Sequence, residues 1–324
     1  MSYKLYLFKR LILICLIALV GCSLQSCDTV HKASSSANSR KLLLRDEGLS
    51  QLSYVDLAKS DKNWYVPVPA GRDIQLVGNG RVLIGTGTGY EEREISTGNK
   101  VAEVTLFPGT QTARRLRNGN TLLAGANWQE KKGIVLIEVN KEGLVQKMLV
   151  YPGHSYVRCI RQTASGNLLV TADELVFESD PTGKIVWQAT VTGLPKPHAW
   201  QALRLANGKT VVSGGYAKNF QVFSPSGQQE AIITGPADVN PNFFAGFQIM
   251  KSGNYVVTNW QGHGPKFGAI GNQILEYNPK GELVWSWKQD PEKFSSLQGI
   301  IVLDGLDTKY LHVEDGKGVL SAVK

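Results

Sequence analysis

The chain has 324 residues, of which 42 % are hydrophobic and 19 % are charged, so it is globular rather than largely disordered. Its net charge of +8 falls to +5 when Lys4, Lys9 and Arg10, which lie in a segment predicted to be removed, are left out. A surplus this small does not indicate a nucleic-acid partner, and we predict none. Length alone is compatible with two domains or with one large all-β domain.

Residues 1–22 are typical of a secretory signal, with a basic start and an apolar stretch from Leu11 to Val20. That stretch is shorter than the about 20 residues needed to span a bilayer. The segment Leu19-Val20-Gly21-Cys22 resembles a bacterial lipobox, in which the cysteine becomes the lipidated N-terminus. Leu24-Gln25-Ser26-Cys27 is the second candidate, and an ordinary soluble secretory signal is the alternative. We predict a lipoprotein of the cell envelope, held at the outer membrane by a lipid on Cys22.

The polar residues that follow predict a flexible tether over residues 23–50, and a folded domain is predicted over residues 51–324. His31 lies in the tether and needs no chemical role. Cys159 is the one cysteine of the predicted domain, so no disulfide within the domain is expected.

The domain sequence repeats itself. A turn pair recurs with glycines 39, 47, 42 and 45 residues apart, and each pair precedes a β-rich run. Such pairs suit tight hairpins, because glycine accepts positive φ and asparagine tolerates it. The pairs are Asn79-Gly80, Asn118-Gly119, Ser165-Gly166, Asn207-Gly208 and Ser252-Gly253.

A second turn follows in each unit, as in Asp180-Pro181-Thr182-Gly183, and an alternating strand comes after it. Four short antiparallel strands per 40–50 residues are typical of a β-propeller blade. A β-sandwich also explains alternating strands, but it does not require two turn types in a fixed order. The five complete units begin near Ile74, Ala113, Val157, Ala202 and Phe247.

A sixth unit begins near Gly299, and only three strands of it are predicted before the end of the given sequence, so its outer strand is missing. The segment around Trp64 resembles the outer strands of other units. We therefore predict an all-β, six-bladed propeller of four-stranded antiparallel blades, whose last blade is closed by this N-terminal strand. Seven blades are the alternative if residues 41–62 contribute more strands.

The Asn-Gly turn followed by Pro-x-Gly-x-x-x-Trp, clearest at Asp180–Trp187 and Asn278–Trp285, resembles the quinoprotein-like (PQQ-like) β-propeller superfamily, especially small secreted members related to arylsulfotransferases. The resemblance covers about residues 60–324 and implies the fold. The arylsulfotransferases imply a catalytic histidine, and His198 and His263 are the nearest positions. Quinone-dependent relatives have eight blades, and this chain has no vicinal cysteine pair and no carboxylate cluster on the relevant loops. We predict no quinone, no metal and no other cofactor.

Strand order places the Asn-Gly and Pro-x-x-Gly turns at one end of the propeller. The loops that enter the inner strands, and those between second and third strands, lie at the other end, where long loops on a rigid scaffold commonly bind ligands. Aromatic faces beside amides and imidazoles suit a sugar or an aryl group. Besides the candidate catalytic residues His198 and His263, the predicted ligand-binding residues are Arg72, Trp128, His154, Trp200, Tyr216, Asn259, Trp260 and Lys266.

Three functions fit this pattern. The first is a binding or scaffold module for a glycan, peptide or protein partner. The second is an arylsulfotransferase-like or glycan-modifying enzyme that uses the histidines as acid, base or nucleophile. The third is an assembly factor for outer-membrane proteins that binds along the blade rim. No nucleophile–base pair is recognisable in the sequence, which favours binding over catalysis.

Overall fold

The computed structural model describes residues 37–193 and 196–324. Six four-stranded antiparallel sheets form the blades of a β-propeller, so the predicted six-bladed all-β fold is confirmed. The predicted signal sequence, Cys22 and Cys27 lie outside the described residues. None of the described helices is long or apolar enough to cross a membrane. These helices are single 3-10 turns at Ala37–Ser39, Ser60–Lys62 and Ala237–Val239.

Three strands precede the first complete blade: β1 (Lys41–Asp46), β2 (Gln51–Asp56) and β3 (Trp64–Pro67). The next five blades each use four consecutive strands, which run from the propeller axis outward. Their strands are β4 (Ile74–Gly78), β5 (Arg81–Thr86), β6 (Gly89–Glu94) and β7 (Lys100–Thr105) in blade 1; β8 (Thr110–Arg115), β9 (Thr121–Ala126), β10 (Ile134–Val139) and β11 (Val145–Tyr151) in blade 2; β12 (Val157–Gln162), β13 (Leu168–Ala172), β14 (Leu175–Ser179) and β15 (Ile185–Thr190) in blade 3; β16 (Ala202–Arg204), β17 (Thr210–Ser213), β18 (Asn219–Phe223) and β19 (Gln229–Thr234) in blade 4; and β20 (Phe243–Ile249), β21 (Tyr255–Trp260), β22 (Ile274–Tyr277) and β23 (Leu283–Trp287) in blade 5.

Turn chemistry explains the hairpins of these blades. Asn79 and Gly80 both have positive φ, 54° and 69°, as the tight turn between β4 and β5 requires.

The burial of a strand decreases with its distance from the propeller axis. Every residue of β20 is buried, whereas β7 is almost wholly exposed along its length.

Blade 6 joins the two ends of the chain. Its inner strand is β24 (Leu297–Val302), and β1, β2 and β3 follow in order toward the rim. The predicted outer strand at Trp64 is therefore correct. The prediction that the C-terminal segment supplies three strands is wrong, because it supplies one and the N-terminal segment supplies three. The apolar run Leu42–Leu44, fully buried between β24 and β2, explains the difference.

The same strands correct part of the predicted tether. Residues 41–50 belong to the propeller, since β1 pairs along its whole length with β2 and the connection Glu47–Ser50 lies between them. Arg40, the residue before β1, also contacts the propeller. Its Nη2 lies 2.7 Å from Oε2 of Glu276 in blade 5, and its guanidinium lies over the ring of Trp285. The rest of the tether prediction falls largely outside the described residues.

The last strands, β25 (His312–Glu314) and β26 (Leu320–Ala322), form a separate two-stranded sheet, called here the C-terminal hairpin. It bridges to Val77 of blade 1 and Ile249 of blade 5. Its contacts also reach blades 2, 3 and 4 through Arg114, Arg161 and Ala206. The hairpin therefore seals the axial channel at the end that carries the Asn-Gly turns, and a gap of only about 20 Å³ remains inside.

Candidate functional site

A cavity of about 370 Å³ opens at the end of the axis opposite the C-terminal hairpin. Loops and strand ends from all six blades contribute to its wall, as the strand order predicts. Of the ten predicted site residues, six line this cavity, and both candidate catalytic histidines are among them. The six are Arg72, His198, Trp200, Tyr216, Trp260 and His263.

The other four predicted residues lie away from the cavity wall. Trp128 packs against Phe107 with ring centroids 5.7 Å apart, and His154 stacks on Phe177 at 5.4 Å. Asn259 is fully buried and accepts a hydrogen bond from the Asn242 backbone N–H at 2.8 Å, which fixes neighbouring loops. Lys266 is exposed, with its ammonium 5.8 Å from the ring centre of Phe267.

A β-bulge at the start of β12 brings a charged residue into the cavity. The register between β12 and β13 shifts between Val157 and Ile160, and such a bulge redirects a side chain from its regular alternation. Arg158 lies in the shifted stretch, lines the cavity and is only 6 % exposed. Similar shifts occur at the starts of β8 and β20, where Thr110 and Phe243 also line the cavity.

Aromatic rings form one side of the cavity. Phe243 is the central ring of this group. Its centroid lies 5.3 Å from that of Trp200, 4.7 Å from that of Tyr216 and 5.4 Å from that of Trp260, each in an edge-to-face arrangement. Gly215 precedes Tyr216 with φ of 57°, and a Cβ there would lie 2.7 Å from the His198 Cβ. Glycine is therefore needed at this position for the loops of blades 4 and 5 to approach.

His198 is held as a neutral hydrogen-bond donor. Its Nδ1 lies 2.5 Å from Arg158 Nη2, and a guanidinium can only donate. Nδ1 must therefore accept, which leaves the proton of the neutral ring on Nε2. Burial, together with the positive charge of Arg158, lowers the pKa of His198 to about 4. This arrangement makes His198 a poor general base at neutral pH.

The lowered pKa of His198 predicts a loss of stability in acid. The unfolded chain binds this proton near pH 6.5, whereas the folded protein binds it only near pH 4. The contribution of the neutral ring is therefore complete above pH 6.5 and is lost as the pH falls toward 4. Arg158, Lys196 and Arg72 oppose the charged ring, and Glu174 favours it. We expect His198→Asn, which keeps an acceptor for Arg158, to show a smaller fall in Tm between pH 7 and pH 4.

Thermal unfolding of wild type and variant across that pH range measures the effect. The same substitution at His154, outside the cavity, controls for the loss of a histidine as such. Equal slopes of Tm against pH in wild type and His198→Asn would show that this ring is not held neutral.

His263 has a different environment at the rim of the cavity. Its side chain is 80 % exposed, and its Nδ1 lies 2.9 Å from Oε1 of Glu47. The other carboxylate oxygen of Glu47 accepts from Nε1 of Trp260 at 3.2 Å. A carboxylate on one imidazole nitrogen orients the ring and leaves Nε2 facing away from that carboxylate. Of the two candidate histidines, His263 thus has the arrangement suited to acid–base chemistry.

Several residues of the cavity were missed by the sequence analysis, chiefly those that lie within strands or outside the predicted propeller domain. A signal for two of them exists, because Arg45 and Arg158 each interrupt an apolar strand sequence. Glu47 falls in the segment predicted to be a tether. The missed residues include Arg45, Glu47, Gln111, Arg158 and Gln298.

The described residues contain no group of three His, Cys, Asp or Glu side chains that could hold a metal ion. The polar groups of the cavity are mainly guanidiniums and amides. This donor set suits anions and hydroxyls rather than cations. Cys159 beneath the cavity is fully buried, and burial raises the pKa of its thiol to about 12, so it is not a reactive thiolate.

No protein-family model and no curated protein matches this sequence. Solved structures with a similar fold include a protein of unknown function from Bacteroides caccae, with 22 % identity and a TM-score of 0.65 over 81 % of this chain and 98 % of that one. Regucalcin, a calcium-binding protein from Agrobacterium tumefaciens, matches with 16 % identity and a TM-score of 0.54 over 80 % and 89 %. Virginiamycin B lyase from Staphylococcus aureus matches with 12 % identity and a TM-score of 0.55 over 87 % and 88 %.

These similarities establish the β-propeller fold. They include an enzyme and a calcium-binding protein, so the fold by itself does not select a function.

Proposed function

We propose that this protein is an envelope lipoprotein, anchored through Cys22, whose propeller binds a small glycan or aryl ligand in the cavity. The observation that carries the proposal is the cavity itself: about 370 Å³, walled on one side by aromatic rings and on the other by polar groups. That volume lies within the range of about 300–1,000 Å³ typical of small-molecule sites. The motif resemblance to secreted PQQ-like and arylsulfotransferase-type propellers supports the same proposal.

The shape of the site supports a ligand that enters from one end. The C-terminal hairpin seals the opposite end, so the cavity is a pocket rather than a passage. A peptide or protein partner would have to insert a side chain or a terminus into this pocket. A ring that stacks on Trp260 and Tyr216 uses the flat surfaces that are already in place.

We expect Trp260→Leu to weaken the binding of 4-nitrophenyl glycosides at least tenfold, because leucine keeps apolar bulk but removes the flat ring. Trp128→Leu is the matched control, since Trp128 packs against Phe107 outside the cavity, and its affinity should equal that of wild type. Isothermal titration of the folded domain with each glycoside measures both. Unchanged affinity in Trp260→Leu, or an equal loss in both variants, would remove the cavity from the proposal.

The Glu47–His263 pair favours an enzyme as a second candidate function. In that case His263 would exchange a proton with a ligand bound against Trp260, whose ring centre lies 4.7 Å from that of the imidazole. The same titrations discriminate the two functions when the release of 4-nitrophenol is followed in parallel. Turnover that is lost in His263→Asn while binding persists would identify an enzyme, and binding without turnover of any glycoside would identify a binding module for these probes.

A further inference from the structure

The arginines that line the cavity lack the ion pairs made elsewhere in the molecule. Arg45, Arg72 and Arg158 come from three different blades, and among the described residues none of them has a carboxylate oxygen within 4.0 Å. Nearly all the other described arginines do have one. These paired arginines are Arg40, Arg81, Arg93, Arg114, Arg115, Arg161 and Arg204.

Arg158 has hydrogen-bonding capacity that the described part of the protein does not use. Its Nη2 donates to His198, and its buried Nε has no acceptor among the described residues. Its guanidinium lies 4.5 Å from the ring centre of Tyr156 and 5.3 Å from that of Trp200. The rings offset part of the charge, but they do not satisfy the donors.

A second guanidinium flanks the same two rings. Arg72 lies 4.6 Å from the ring centre of Tyr156 and 5.4 Å from that of Trp200. Burial, together with the nearby charge of Arg72, lowers the pKa of Arg158 to about 10. Two like charges are thus held side by side in a partly desolvated site.

Arg45 adds a third positive charge beneath the cavity. It is 1 % exposed, and two of its three guanidinium nitrogens, Nε and Nη1, have no acceptor among the described residues. The neighbouring carboxylate of Glu91 is paired with Arg93 at 3.0 Å. Glu47, the one carboxylate among the residues that line the cavity, is engaged by Trp260 and His263. The residues that line the cavity therefore include three guanidiniums but a single carboxylate.

Keeping buried charges without partners costs free energy, and a ligand that supplies the opposite charge would offset that cost. We propose that the ligand is a ring compound bearing a carboxylate or sulfate group, with its oxyanion at Arg158 and Arg72 and its ring against Trp260 and Tyr216. Planar guanidiniums match such oxyanions with paired hydrogen bonds. This inference rests on the proposed function, because it specifies the ligand of the same cavity.

The test compares probes that differ in charge. 4-Nitrophenyl β-D-glucuronide and 4-nitrophenyl β-D-glucoside differ only in a carboxylate and a hydroxymethyl group, and 4-nitrophenyl sulfate provides the sulfate arm. We expect the wild-type protein to bind an anionic probe at least tenfold more tightly than the glucoside. The glucuronide–glucoside pair measures the effect of a carboxylate, and binding of 4-nitrophenyl sulfate shows whether the site accepts a sulfate.

Arg158→Gln should remove most of this preference, taken as the ratio of the affinities that the same variant shows for the anionic probe and for the glucoside, and Arg158→Lys should keep part of it because the charge remains. Arg81→Gln is the matched control, since Arg81 is 40 % exposed and lies outside the cavity. Without ligand, Arg158→Gln should melt at or above the wild-type Tm, because an unpaired buried charge has been removed.

The outcomes separate the two proposals. Equal affinity for glucoside and anionic probes, or an anion preference that survives in Arg158→Gln, would overturn the oxyanion inference and leave the binding cavity standing. No binding of any probe would overturn both. If Arg158→Gln does not fold, an Arg158→Lys variant with the full wild-type preference for anionic probes counts against the inference.

Discussion

Replacing Glu314 with glutamine is expected to lower the free energy of unfolding by about 3–5 kcal/mol, the usual cost of breaking a buried ion pair from one side. Glu314 lies in the C-terminal hairpin with its side chain 11 % exposed. Its two oxygens accept from Nη2 of Arg114 at 2.7 and 2.8 Å, and Nε of Arg161 donates to it at 2.8 Å. Glutamine removes the charge, so two buried guanidiniums would depend on Asp73 alone.

The pKa directions agree with this expectation. Although burial opposes ionisation, Arg114 and Arg161 hold the pKa of Glu314 below its usual range. Burial likewise disfavours the charged guanidinium of Arg161, but Asp73 and Glu314 raise its pKa above the ordinary value. The Glu314 carboxylate therefore attaches the C-terminal hairpin to blades 2 and 3 through Arg114 and Arg161.

Urea denaturation of the folded domain measures the change in free energy. Glu103→Gln serves as the control, because Glu103 pairs with Lys100 at an exposed site where both side chains are about half exposed, and its loss should cost about 1 kcal/mol or less. A change below about 1 kcal/mol in Glu314→Gln would show that the hairpin does not depend on these charges.

A chain that begins at residue 57, and so lacks β1 and β2, is expected to lose cooperative unfolding altogether. The three leucines Leu42–Leu44 are fully buried, and the burial of each contributes about 1.5–3 kcal/mol. Their loss alone is comparable with the net stability of a domain, about 5–15 kcal/mol. In addition, β24 would be left with an unpaired edge, and β3 would lose its only partner in the sheet.

Near-ultraviolet circular dichroism and urea denaturation test this expectation. A chain that begins at residue 37 is the control and should unfold as the full domain does. Adding a peptide of residues 37–56 to the shortened chain should restore part of the transition, because the missing strands can pair with β24 and β3 again. A sharp, wild-type-like transition in the shortened chain alone would contradict the closure of blade 6.

The sequence predicts the blades well because each contains the same turn chemistry at the same place. Blade 6 is the exception, since its first and second strands, β24 and β1, come from opposite ends of the chain and no hairpin turn joins them. The signature pair is therefore missing from that blade. The turn of the C-terminal hairpin, Asp315–Gly318, has the composition of a blade turn, so the sequence pattern wrongly predicts that this hairpin belongs to blade 6.

The position of the cavity could also be predicted, because strand order fixes which loops share an end of the axis. The positive charge of the cavity could not be predicted from the sequence. Arg158 reaches the cavity through a bulge that depends on pairing with β13, and Arg45 lies in a strand whose neighbours come from far along the chain. Asn259 and Trp128 show the reverse case: their residue types suit binding, yet tertiary packing uses them to fix loops and rings.

The direction of β1 determines the end at which the N-terminal segment joins the propeller. Lys41 lies beside Leu303 at the sealed end of the axis, and Asp46 lies beside Leu297 at the open end. The polypeptide thus enters the propeller from the sealed end. The segment that would carry a lipid on Cys22 therefore joins the propeller at the end remote from the cavity, so its point of attachment does not occupy the opening through which a solute would enter.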